Sequence, residues 1–132
     1  MIPINLLCKL IVNNLSDDLR LRKYRGSPNI LSGHCYISSE TLYHMMGGPN
    51  SGWHPMFIRW QGQPHWYLAH ENGAILDITA GQFNGPIDYS AGRGKGFLTK
   101  APSKRARELE QRVRGMYVRT CLGKTKEKSQ RR

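Results

Sequence analysis

With 132 residues, 39% of them hydrophobic and including three Trp, six Tyr and three Phe, the chain is sized for one domain and too rich in aromatic residues to be wholly disordered. Its formal charge of +11 is confined to one end: residues 1–92 carry six Lys/Arg and six acids, residues 93–132 fourteen against three. No apolar run nears the roughly 18 residues of a membrane span, no secretory pattern opens the chain, and Cys8, Cys35 and Cys121 cannot all pair and lack CxxC spacing. The expectation is a soluble cytoplasmic protein with no membrane, cofactor or metal requirement.

In chain order, Ile2 to Val12 is apolar and fits either a strand or a short helix. Ser16-Asp17-Asp18 has the chemistry of a helix N-cap and first turn, predicting a short helix to about Tyr24. Turn residues fill Gly26 to Gly33. A helix of about 12 residues then begins at Cys35, carries Ile37, Leu42, Met45 and Met46, and stops at Gly47-Gly48-Pro49. Strands are predicted over 55–60, 65–69 and 74–79, with Gln61 to Pro64 as the first connection. Glu71-Asn72-Gly73 fits a three-residue hairpin loop with Gly73 left-handed, which sets residue 67 opposite 77 and residue 65 opposite 79. His65 then lies diagonal to Asp77 on the face it shares with Thr79. A two-residue turn would send Asp77 to the other face. From Ser103 a final helix is marked by Ala106, Leu109, Val113 and Met116. Residues 1–120 read as one α+β domain and 121–132 as a basic, disordered tail.

A thiol at a helix N-terminus sits at the positive end of the dipole, which favours thiolate. An imidazole beside it can take its proton, and a carboxylate behind the imidazole fixes the tautomer. Cys35, His65 and Asp77 supply these three groups in order. The bland reading of Cys35 is a small buried hydrophobe. The Cys35 N–H is the natural oxyanion donor, with Asn29, Ser32 and His34 open as a second. Thr79 and Gln82 are supporting candidates, His54 is the rival base, and Trp53, Trp60 and Trp66 either line a groove or fill the core.

Gly33-His34-Cys35, the Gly47-Gly48 helix end, His65-Trp66-Tyr67 and Asp77-Ile78-Thr79-Ala80-Gly81-Gln82-Phe83 together resemble the YunG-like small bacterial and phage family. Their order also resembles the papain-like, NlpC/P60-like thiol hydrolases. The resemblance implies Cys35 as nucleophile, His65 as base and Asp77 as orienting group, on a nucleophile helix packed against a small antiparallel sheet. His34 departs from the family's Gln at that position. The implied activity is a hydrolase or acyl-transferase acting on an amide, thioester or isopeptide bond of a protein or small amide.

The alternative function lies in the basic region. Arg105, Arg112 and Arg119 recur every seven residues along the last helix, widened by Lys104, and Arg93 and Lys95 sit in a Gly-rich loop. These six would bind nucleic acid or another polyanion, as in a non-enzymatic binding module or a phage-type inhibitor or adaptor. The Gly92-Arg93-Gly94-Lys95-Gly96 run lacks the spacing of a nucleotide-binding phosphate loop. His34, Cys35 and His65 form no recognised zinc pattern.

Overall fold

The computed structural model describes residues 2–130, with side chains described up to residue 121. Leu7, Leu10 and Ile11 are buried at a spacing of three and four, so the first apolar segment is a helix, α1 (Ile4–Asn13). The predicted helix after Ser16 does not form; two single 3₁₀ turns, Asp17–Leu19 and Arg22–Tyr24, take its place. The Ser16 hydroxyl bonds the Asp18 carboxylate instead of capping a backbone N–H, and Arg20 is extended, breaking the helix between the turns.

The second helix, α2 (Cys35–Met45), ends as expected, with Gly47 left-handed at φ 115°. Ile37 to Leu42 are all buried, an unbroken run that takes in the polar Ser38, Ser39, Glu40 and Thr41 as well as the apolar residues. The cause is position: α2 lies between the sheet on one side and α1 and α3 on the other. The final helix, α3 (Lys104–Gln130), is capped by the Ser103 hydroxyl, which accepts from Ala106 N–H at 3.2 Å. Its backbone runs past residue 121, where a disordered tail was expected, through a stretch rich in the good helix formers Lys, Glu and Gln. Residues 131–132 lie outside the described residues. Leu7, Leu10, Ile11, Leu15, Leu19, Ile37, Leu42, Leu68, Ala106, Leu109 and Val113 form the core.

The strands are β1 (Trp53–Trp60), β2 (Gln63–His70), β3 (Ile75–Leu76) and β4 (Arg93–Gly94), in the antiparallel order β3-β2-β1-β4. The fold is α+β. The β1–β2 connection is tighter than predicted: Trp60 pairs with Gln63 across Gln61 and Gly62, both at positive φ. Pro64 is therefore inside β2. Opposite Arg59 in this register, its missing N–H would point away from β1, towards a side where β2 has no strand partner.

The second hairpin follows the three-residue loop. Leu68 pairs with Leu76 and Ala69 with Ile75, Gly73 has φ 92°, and His70 N–H donates to Ala74 O at 2.8 Å. That register keeps 67 opposite 77, although β3 ends at Leu76. Half of β2 thus lacks a ladder partner on one side.

Candidate active site

The segment leading into α2 is held by a residue that the sequence did not single out. The Arg20 guanidinium is buried and donates to the carbonyls of Asn29 (2.7 Å), Ser32 (2.8 Å) and Ser27 (3.3 Å), and to the Asp17 carboxylate (2.8 Å). Gly33 follows at φ 78°, where a Cβ would lie 2.6 Å from Cβ of Tyr24, so a side chain is excluded by both conformation and space. His34 is fully buried, with Nδ1 2.6 Å from Ile30 O and Nε2 2.9 Å from Ser16 O. Its ring ties the loop to the turn behind it and does not line the cleft described below.

Cys35 occupies the first position of α2, where helix N–H groups have no intrahelical partner. Its thiol reaches the unpartnered side of β2, 4.0 Å from Pro64 O, next to His65. The His65 side chain is fully buried and the Asp77 side chain is 3% exposed, with Nε2 and Oδ2 2.7 Å apart. Burial pulls His65 towards the neutral form, but the Asp77 carboxylate and the adjacent Cys35 sulfur outweigh it and push the imidazole up to about 9. The thiol acts on the ring without meeting Nδ1 in regular hydrogen-bond geometry, and Nδ1 is buried with no other partner.

Tyr89 completes the arrangement. Its hydroxyl donates to the same Asp77 Oδ2 at 2.7 Å, and burial together with that carboxylate raises the phenol above its ordinary range. Tyr67 lies nearly parallel to the His65 ring, and Phe83 meets it edge-on at 4.9 Å. Close packing here depends on Gly92, where a Cβ would fall 1.7 Å from the Tyr67 oxygen. Tyr89 lies in a loop between Pro86 and Gly92 that has no periodicity, so nothing local in the sequence points to it.

Cys35 opens into a cleft of about 530 Å³ lined by Tyr24, Tyr36, Trp66, Phe83 and Leu98 together with Ser32, Gln61, Gln63, Gln82 and Arg105. Of the supporting candidates, Gln82 lines this cleft and its Oε1 is buried without a partner. Thr79 is buried and accepts from Gln82 N–H through its carbonyl. Of the possible second oxyanion donors, Ser32 faces the cleft. The Asn29 side chain is held across the loops, accepting from Leu31 N–H and donating to Gly81 O at 3.4 Å. The rival base His54 is exposed and sits 3.5 Å from Glu71, away from the cleft lining. Trp66 is a cleft wall, packed on Tyr36 and Phe97, whereas Trp53 packs on His70.

The basic residues divide into three groups. Arg93, Lys104 and Arg119 are exposed, and Lys95 lies over the Phe57 and Trp66 rings. Arg112 is tied to Asp18, Ser16 and Glu108. Arg105 is half-buried and turned to the cleft, with one nitrogen donating to Leu19 O at 2.9 Å. A carboxylate missed by the sequence reading, Glu40 of α2, is fully buried and accepts from both Ser103 N–H and Ser103 Oγ, joining α2 to the start of α3. Among the described residues no three His, Cys, Asp or Glu side chains gather to hold a metal, and no helix is long and apolar enough to cross a membrane. Neither a protein family, nor a curated protein, nor a solved structure matches the chain.

Proposed function

We propose that the protein is a thiol hydrolase or acyl-transferase of papain-like plan, acting on an amide, thioester or isopeptide bond. The observation that carries this reading is a buried imidazole with one nitrogen fixed by a carboxylate and the other left beside the only thiol in the cleft lining. A buried ring nitrogen with no structural partner is costly unless it has a chemical use. The same three groups at a helix start, on a strand and just past the end of the neighbouring strand support the papain-like reading, as does the resemblance of the surrounding motifs.

In the proposed reaction His65 accepts the Cys35 proton at Nδ1, while Asp77 holds Nε2–H and stabilises the imidazolium. The sulfur attacks the carbonyl carbon, forming a C–S bond and a tetrahedral oxyanion near the Cys35 N–H, with Ser32 in the cleft lining as the candidate second donor. Collapse breaks the bond to the leaving group, which departs with the proton from His65. Water or an amine then gives a proton to His65 and attacks the thioester. The C–S bond breaks, releasing the acid or the new amide and restoring the thiol.

The test is p-nitrophenyl acetate. Wild-type protein is expected to release a burst of p-nitrophenolate and to carry the acetyl group on Cys35 in peptide mass spectra. His65→Ala should slow that acylation by about 100-fold or more. Acetylation of Cys8 or Cys121 in preference to Cys35, or an unchanged rate in His65→Ala, would overturn the reading.

A further inference from the structure

The cleft beside Cys35 has an uneven chemistry. Its walls are apolar and aromatic, its polar groups are amides and hydroxyls, and among the described residues no aspartate or glutamate lines it and Arg105 is the single charged one that does. No carboxylate lies within ion-pair distance of that guanidinium among the described residues, although five other cations or histidines of the chain do have such partners. The buried acid of α2, Glu40, already accepts two hydrogen bonds from Ser103. One Arg105 nitrogen is anchored on Leu19 O, which holds the planar group in place, and among the described residues no carboxylate engages its remaining donors. Its charge reaches the Tyr36 hydroxyl, which lies in the same cleft and accepts from Leu98 N–H at 2.7 Å. A second cation, Lys95, stands over the Trp66 ring at the same wall.

A half-buried arginine with no acid beside it is an incomplete pair, and the guanidinium fork matches a carboxylate through two parallel hydrogen bonds. The cleft volume suits a small organic group rather than an extended chain. We propose that Arg105 reads a carboxylate on the substrate, and that the acyl compound handled by Cys35 is a small molecule bearing a flat apolar or aromatic portion and that carboxylate. The inference rests on the thiol reading above and assigns its substrate class. It also moves Arg105 from the outward basic stripe, where its sequence spacing had put it, to the substrate side.

Two aromatic disulfides test it: 5,5′-dithiobis(2-nitrobenzoate), which carries carboxylates, and the neutral 2,2′-dithiodipyridine. With either, the Cys35 sulfur attacks one reagent sulfur, a protein–aryl disulfide forms, and the reagent S–S bond breaks to release an aryl thiolate. Rates at each cysteine are read by peptide mass spectrometry, Cys121 serving as the reference for the general attraction of a basic chain to anions. In the wild-type protein the ratio of carboxylated to neutral reagent at Cys35 is expected to exceed that at Cys121. Arg105→Gln should lower the Cys35 ratio about tenfold, the ratio cancelling any change common to both reagents, and its urea unfolding curve reports whether the fold is intact. The exposed Arg107→Gln removes the same charge and should leave the ratio within about twofold.

A second measurement needs no variant: benzoate should protect Cys35 from the neutral disulfide in the wild-type protein, and benzamide should not. Equal protection by the two, or a ratio that falls equally in Arg105→Gln and Arg107→Gln, would overturn the role of Arg105 while leaving Cys35 acetylation by p-nitrophenyl acetate intact. Loss of that acetylation would instead remove the thiol reading, and the substrate assignment with it.

Discussion

Around Cys35 the charged groups are few and enclosed, and all but Arg105 are set by a neighbour: His65 by Asp77, Asp77 by Tyr89, Arg20 by the carbonyls of the entry loop. Along α3 they are many and mostly at the surface. There Arg112 and Arg114 pair with acids one turn away, and Lys104 and Arg119 face solvent. Burial makes the difference. An enclosed charge must be matched by a specific partner at several kcal/mol of risk, whereas an exposed pair competes with water and contributes little. The net charge of the chain therefore describes α3 and says almost nothing about the cleft, although both draw on the same residue types.

The largest effect expected from breaking this contrast comes from Asp77→Asn. The amide oxygen can still accept from His65 Nε2–H, so the geometry survives, but the charge that stabilises the imidazolium is gone. Acylation by p-nitrophenyl acetate should fall by about 10²–10⁴-fold, and the His65 titration followed by NMR should move down from about 9. The stability consequence has a definite sign. An imidazole raised in the folded state stabilises the fold fully below about pH 6.5, the unfolded value, and loses that contribution as pH rises through about 9. The urea midpoint of the wild-type protein should therefore decline between these limits, by up to roughly 3 kcal/mol in stability, and Asp77→Asn should flatten the decline. A slope that survives in the variant would assign it to other groups.

How far this site could be read from the chain alone follows from how local its determinants are. A left-handed Gly73 suits a three-residue loop, and loop length fixes register; on that loop the thirteen residues from His65 to Asp77 place the two together, whereas the two-residue turn that the sequence also allowed would have parted them. The Gly47-Gly48 stop and the position of Cys35 were readable for the same reason. Tyr89, Arg20 and Glu40 were not, because each meets its partner through a return of the chain that no period or turn signal encodes. Arg105 shows the opposite error. Its spacing from Arg112 and Arg119 is regular, but a seven-residue repeat names a helix stripe and not what that stripe faces, and the first turn of α3 borders the cleft. The failed helix after Ser16 has a similar cause, since the capping chemistry was present but Arg20 had to be extended to reach the loop carbonyls.

A matched pair of arginines sharpens the comparison at intermediate size. Arg20→Met would leave three loop carbonyls without their donor and is expected to cost about 2–4 kcal/mol in urea unfolding. It should also slow Cys35 acylation, since the loop enters α2 at that residue. Arg112→Met removes a guanidinium that bonds Ser16, Asp18 and Glu108 at the surface, and is expected to cost about 0–1 kcal/mol with acylation unchanged. Equal costs would mean that the α3 pairs are not the weak, solvent-screened contacts their exposure implies.

The smallest effect is the most selective test of α3 itself. If its cations meet a polyanion, duplex DNA binding should weaken with salt, and each cation that replaces a counterion adds about 0.9 to the slope of log K against log salt. Lys104 and Arg119 are exposed, so neutralising either should reduce the slope by about that amount. Arg112 is different, because Asp18 and Glu108 already compete for it, and the bonded Arg112 holds the Asp18 carboxylate down at about 2. An arginine kept by two acids releases few counterions, so Arg112→Gln should change the slope much less than Arg119→Gln. Equal losses would show that the Asp18 pair opens when the polyanion arrives, making the turn at residues 16–18 part of the binding surface.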